Sequence, residues 1–172
     1  MNKLKIAVIG TGLVGSFHAE TFYRNANSEL VAVCDLDKEK ANSIANKFNC
    51  KAYDNFEQLI TVEALDAISI ATPEQIRIEP AVLSVQKGLK ILLEKPLGRD
   101  LEQIKSLVDK IKDHNKIISV NFILHEDPRY KLMKEKIKNN EIGNIVSCFA
   151  RRRGNRFGIE IYAPWTDLLS ST

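Results

Sequence analysis

Six residues near the amino terminus, Gly10-Thr11-Gly12-Leu13-Val14-Gly15, constrain this chain more than any other feature. They follow the short apolar run Leu4–Ile9, which reads as a buried strand, and open a stretch of helical character over residues 13–26. A G-x-G-x-x-G string is weak evidence by itself. At a strand-to-helix junction each glycine has a physical use. The first permits a tight turn, the second lets the backbone approach a pyrophosphate, and the third lets the helix lie close on its strand. Free N–H groups and the positive end of the helix dipole then face the phosphates. A second signal supports the first: Asp35 closes the apolar run 29–35, one strand further on. A carboxylate there accepts hydrogen bonds from the adenosine ribose hydroxyls and repels a 2′-phosphate, which favours NAD over NADP. Lys38 stands close enough in sequence to soften that preference, so NADP stays open.

The rest of the chain alternates in the same way. Short apolar runs at 51–53, 65–71, 89–94 and 117–122 read as strands. Between them lie helical patterns: Ala41, Ile44, Ala45 and Phe48 behind a capping Asp37, a turn over 55–61, and a helix ending near Lys87 before Gly88. Pro80 predicts a late start or a kink in that last helix. Asp100 and Gln103 form a capping box ahead of Leu101, Ile104, Leu107, Val108 and Ile111. Asp127-Pro128 opens a further helix to about Asn139, and Ile145–Arg151 reads as one more strand. Strands alternating with helices imply right-handed crossovers and a doubly wound, mainly parallel α/β sheet of Rossmann type.

Composition narrows the function classes. The 172 residues span one domain of ordinary size, and 44% hydrophobic with 27% charged residues describe a globular chain. A net charge of +3 is too small to argue by itself for a nucleic-acid partner, and no apolar run is long enough for a membrane span. Cys34, Cys50 and Cys148 are odd in number and far apart, and the start shows no signal-peptide pattern, so the expected compartment is the cytoplasm. His18, His114 and His125 show no metal-ligand spacing. His18 reads as helix packing near the phosphate end, His114 as a helix-terminal residue, and His125 as an acid/base candidate without a visible partner. Arg151-Arg152-Arg153 with Arg156 is the one basic cluster, read as a solvated or subunit-facing strand end. Tyr162, Pro164 and Trp165 read as a surface that meets a further part of a second domain.

With the glycine loop, Asp35, Ala71-Thr72-Pro73 and Glu94-Lys95-Pro96-Leu97 in this order, the chain resembles the Gfo/Idh/MocA oxidoreductases. The resemblance extends to Asp127-Pro128 and Glu141–Ile145. It implies a nucleotide-binding Rossmann domain over 1–122, and over 123–172 a connecting helix and the truncated start of an α/β substrate and oligomerisation domain. It implies that Lys95 is the catalytic residue near the substrate. The cofactor side would be formed by Gly10, Thr11, Gly12, Leu13, Val14, Gly15, Asp35, Ala71, Thr72, Pro73, Glu94, Lys95 and Asn121. A cis Lys95–Pro96 peptide is a further expectation. The chain departs from the family where members often carry asparagine and histidine after Thr-Pro: Glu74 and Arg77 stand there.

The implied activity is NAD(P)-dependent oxidation of a hydroxyl on a sugar, cyclitol or related small molecule, in a parent protein that is a homo-oligomer, with no nucleic-acid or membrane partner. The family's second-domain histidine does not follow before Asp167–Thr172, so the expectation for this chain alone is cofactor binding with weak or no turnover. The alternative is a non-catalytic dinucleotide-binding or partner-binding module.

Overall fold

The computed structural model describes residues 2–113 and 118–151. The chain divides into two compact units, 1–121 and 122–172. In the first, the described elements run β1 (Leu4–Ile9), α1 (Leu13–Arg24), β2 (Ser28–Cys34), α2 (Lys38–Phe48), β3 (Lys51–Tyr53), α3 (Phe56–Val62), β4 (Ala67–Ile70), α4 (Ile78–Gln86), β5 (Lys90–Leu93), α5 (Leu101–Ile111) and β6 (Ile118–Val120). The strands form one parallel sheet in the order β3-β2-β1-β4-β5-β6, the doubly wound arrangement of a Rossmann fold.

Right-handed crossovers explain how the helices are shared out. The steps from β1 to β3 move one way and place α1 and α2 on one face; the return to β4 and onward places α3, α4 and α5 on the other. The two apolar clusters follow this division. Val8, Ala19, Leu30, Val33, Ala45 and Phe48 pack under α1 and α2. Ala7, Ile9, Ile68, Ile70, Leu59, Val85, Leu93 and Leu107 belong to the opposite layer. Alternate residues of β1 thus serve opposite cores, which is why its sequence is a continuous apolar run.

Helix starts follow the predicted caps. Asp37 accepts from the N–H groups of Glu39 and Lys40, and Asp100 from that of Gln103; Asn55, accepting from Gln58, is a further cap where the sequence predicts only a turn. Gln103 reaches back to the Arg99 N–H at 3.1 Å rather than to that of Asp100. A separate 3-10 turn, Glu74–Ile76, precedes α4, and Pro80 lies in the first turn of α4, so the helix starts late instead of kinking. On α5 the apolar stripe is wider than the surface it covers: Leu107 is fully buried, while Leu101 and Val108 are exposed.

The second unit contains a 3-10 turn, Ile123–His125, and α6 (Pro128–Lys138), with Asp127 capping and Pro128 in the first turn. The strand expected over Ile145–Arg151 does not form in this structure. A strand needs a ladder partner as well as an alternating pattern, and here Val146 and Phe149 are exposed at 95% and 89%. His114, Ile117, Arg152, Arg153, Arg156, Tyr162, Pro164, Trp165 and Asp167–Thr172 lie outside the described residues. Among the described residues no helix is long and apolar enough to cross a membrane.

Leu107 is the one buried anchor of α5, so Leu107→Ala should cost about 2–5 kcal/mol by urea unfolding. A loss within the error of the measurement would show that α5 is not held through this side chain.

Candidate dinucleotide-binding site

Parallel register brings the ends of the strands level. Ile9 pairs with Cys34 on one side and Ile70 on the other, Ile70 with Leu93, and Leu93 with Val120. The next residue of each strand therefore falls into one row at the carboxyl edge: Asp35, Gly10, Ala71, Glu94 and Asn121. Backbone hydrogen bonds continue the ladders through that row, from Gly10 N–H to Cys34, Ala71 to Ile9, Glu94 to Ile70 and Asn121 to Leu93. The strand order reverses between β1 and β4, so the crevice where such folds receive ligands opens between Gly10 and Ala71.

The glycine loop is shaped by close backbone approach. Gly10 has φ +88°, and a Cβ there would lie 2.9 Å from the Ala71 carbonyl and the Thr72 nitrogen. A Cβ on Gly15 would lie 1.7 Å from the Gly10 carbonyl oxygen. Gly12 differs, because its Cβ would meet nothing within 4 Å. It is also the N-cap of α1 and supplies no side-chain cap. The first N–H groups of α1 are thus left to whatever enters the open space above Gly12. Leu13 is exposed and Val14 half-buried at the same helix start.

Asp35 faces this turn. Its Oδ2 accepts from the Thr11 N–H at 2.7 Å and from the Thr11 hydroxyl at 2.9 Å, while Oδ1 accepts from the Asp37 N–H at 3.0 Å. Oδ2 is then saturated, and Oδ1 keeps one lone pair for a further donor. The carboxylate braces the loop and still has capacity to accept from a hydroxyl. Beneath it, burial and the charges of Asp35 and Asp54 push the Cys34 thiol up to about 12, which excludes a thiolate nucleophile at neutral pH. Lys38 lies 3.7 Å from Asp54.

Glu94 is buried, and its carboxylate is occupied by the protein. Oε1 accepts from Asn121 Nδ2 and lies 3.2 Å from His18 Nε2, while Oε2 accepts from the Lys95 N–H at 3.1 Å. His18 Nδ1 is 2.7 Å from the hydroxyl of fully buried Ser69. Burial lowers the His18 pKa, partly opposed by Glu94, so the ring is neutral at pH 7. A neutral ring beside a carboxylate places its proton on Nε2, and Nδ1 then accepts from Ser69. The ring reaches β4 and the end of β5, not the phosphate end where the sequence reading put it. The available signal was spacing, since His18 and Ala19 follow Gly15 on the side of α1 that meets the sheet.

Sequence reasoning also missed Arg77. This guanidinium is 3% exposed and donates to three main-chain carbonyls, those of Thr72, Glu94 and Pro96. Burial lowers its pKa, and Glu74 and Glu94 oppose that shift. A histidine or arginine three residues beyond Glu74 reads as a surface residue in sequence; only strand order shows that two loops converge on it. The Lys95–Pro96 peptide is cis, and the Lys95 side chain is exposed beside this junction.

The residues present fit a dinucleotide. Gly12 faces open space, the N-cap of α1 supplies no side-chain hydrogen bond to the first N–H groups, and the Thr72 hydroxyl is buried without a hydrogen-bond partner. Among the described residues no cluster of three His, Cys, Asp or Glu side chains is placed to hold a metal ion.

Known proteins are similar to this chain in sequence and fold. Residues 4–122 match the model of an oxidoreductase family, Gfo/Idh/MocA, described by its NAD-binding Rossmann fold. The chain is 31% identical over 143 residues to a glucose-6-phosphate 3-dehydrogenase of Bacillus subtilis, covering 83% of this chain and 40% of that protein. It is 30% identical over 147 residues to an inositol 2-dehydrogenase of Rubrobacter xylanophilus, covering 84% and 42%. The crystal structure of a myo-inositol dehydrogenase from Lactobacillus casei, in complex with NAD(H) and myo-inositol, superposes with a TM-score of 0.78 at 30% identity, over 82% of this chain and 43% of that one. The chain spans less than half the length of these proteins.

Two glycines separate folding from binding. Gly15→Ala should lower the melting temperature, because the new methyl collides with backbone; Gly12→Ala should melt like wild type and lose NAD affinity in calorimetric titration. Equal melting of the two variants would contradict the geometry.

His18 yields a pH prediction. Its native pKa is lowered, so the unfolded chain takes up that proton first as pH falls. The stabilisation from the neutral ring is complete above the ordinary value of 6.5 and is lost as pH drops below it toward the native value. Urea unfolding of His18→Gln should lose less stability than wild type over that acid range, and equal losses would overturn the lowered His18 pKa.

Proposed function

This chain belongs to the Gfo/Idh/MocA oxidoreductase family, and we propose that it forms the cofactor-binding portion of an NAD-dependent dehydrogenase that oxidises a hydroxyl of a sugar or cyclitol. One observation carries the reading: Asp35, locked to Thr11, stands beside a glycine turn whose second glycine faces open space at an uncapped helix start. In this proposal the N–H groups of residues 11–15 receive the pyrophosphate, and the remaining acceptor of Asp35 takes the adenosine ribose hydroxyls. A 2′-phosphate would bring negative charge against that carboxylate, so NAD is preferred to NADP.

In this reading the other half of the dinucleotide lies over Ala71, Thr72 and Pro73 toward Glu94, Lys95 and Asn121, which the strand order supports by setting these residues along one sheet edge. Bound there, NAD supplies a two-electron hydride acceptor. Lys95 is the proposed catalytic residue: its exposed ammonium, set at the carboxyl end of β5, holds the substrate hydroxyl oxygen and stabilises negative charge on it while the hydroxyl proton passes to a separate base, the second-domain histidine that the family resemblance implies. Glu94 and Asn121 act beneath it by holding the Lys95 main chain and each other. The named relatives act on hexose phosphates and inositols, which supports a polyol substrate. Their being dehydrogenases weighs against a non-catalytic module.

Residues 123–172 are assigned to the opening of a second domain that would complete the substrate site and an oligomer interface. The proposed setting is cytoplasmic, without a nucleic-acid or membrane partner, a reading supported by cysteine usage and near-balanced charge.

Calorimetric titration with NAD and NADP tests the cofactor and its preference together. Wild type should bind NAD more tightly than NADP, and Asp35→Ala should weaken NAD by about tenfold while narrowing the gap. Absence of NAD binding by the folded chain would end this reading.

A further inference from the structure

The geometry points to Arg77 as a positioning residue for the nicotinamide half of the site, a guanidinium that fastens the loop after β4 to the loop after β5 and fixes where Lys95 stands. The inference rests on the dinucleotide reading above and assigns a role to a residue at which this chain departs from the family pattern.

Loops that leave adjacent parallel strands lose the ladder that holds the strands themselves together. Here the loss is made good by one side chain. The same terminal nitrogen of Arg77 donates to the carbonyls of Glu94, at 2.6 Å, and of Pro96, while the other terminal nitrogen donates to Thr72. Glu94 and Pro96 flank Lys95, so its main chain is held on both sides. The Lys95 side chain is left exposed. Thr72 sits on the loop that touches Gly10 across the crevice. Arg77 thereby ties Lys95 to the same backbone against which the glycine loop is packed.

The arrangement needs the fork of a guanidinium. A planar group can span two loops and address three carbonyls, whereas an ammonium is a compact point donor. It also needs charge compensation, since an isolated cation at 3% exposure is costly. Glu94 and Glu74 supply that compensation, Glu94 with its carboxylate turned to the His18 and Asn121 side and its carbonyl to Arg77.

A purely structural Arg77 and a positioning Arg77 differ in which half of the dinucleotide they affect. ADP carries the adenosine and diphosphate, which the glycine loop and Asp35 would hold; NAD adds the half that lies over β4 and β5. Arg77→Lys should weaken NAD by about tenfold in calorimetric titration and leave ADP within about twofold of wild type. In Arg77→Ala, guanidinium chloride below denaturing concentration should restore NAD affinity, while urea at the same concentration should not. Equal weakening of both ligands, unchanged NAD affinity, or failure of both variants to fold would overturn the positioning role and leave Arg77 as general support for the sheet. A wild-type chain that binds neither ligand would instead remove the dinucleotide reading, and this role with it.

Discussion

The backbone of the site is packed against itself so closely that side chains have to be missing. Between Gly15 and the Gly10 carbonyl there is no room for a methyl group, and between Gly10 and the loop at Ala71 there is almost none. That contact seats α1 on β1, aims its first N–H groups outward, and sets the width of the crevice at the point where the sheet reverses direction. Asp35 then reaches Thr11 because β2 lies beside β1 in parallel register, with Ile9 opposite Cys34. Remove the close approach and neither the helix start nor the carboxylate has a defined place.

Charge is handled in two layers under this backbone. The upper layer contains groups that retain capacity toward a ligand: the second acceptor of Asp35 and the exposed ammonium of Lys95. The lower layer is spent on the protein itself. Glu94, His18, Asn121 and Ser69 satisfy one another on one side, and Arg77 collects three carbonyls on the other. On the His18 side the network is stable only when complete, because each unpaired member carries a desolvation cost of about 1–3 kcal/mol; on the other side the Arg77 Nε, buried without a partner, bears such a cost. The neutral form of His18 is part of that completeness, since a second ring proton would confront the Ser69 hydroxyl with a donor and require that hydroxyl to turn.

Much of this was legible in the residues. The glycine spacing, the carboxylate closing the second apolar run, and the Asp37, Asp100 and Asp127 helix starts all act within a few positions of themselves, so local pattern suffices to find them. The failures are of a different kind. Ile145–Arg151 has the alternation of a strand, but alternation reports only which faces differ, and pairing depends on a neighbour. His18 was placed by its nearness in sequence to the phosphate loop, whereas a helix turn carries its ring to β4 and β5. Arg77 stands out in the sequence only as a departure from the family pattern, which tells nothing of its burial or its partners.

Periodicity, glycine and capping chemistry act over a handful of neighbours, so the residues alone reveal the alternation of strands and helices through the sheet, the place of the turn, and the kind of molecule that suits it. Only the tertiary structure decided that Glu94 is a brace, that His18 is neutral and bound to it, and that an arginine lies buried between two loops. Those outcomes depend on strand order and register, which bring residues 18, 69, 77, 94 and 121 together across gaps no local pattern spans.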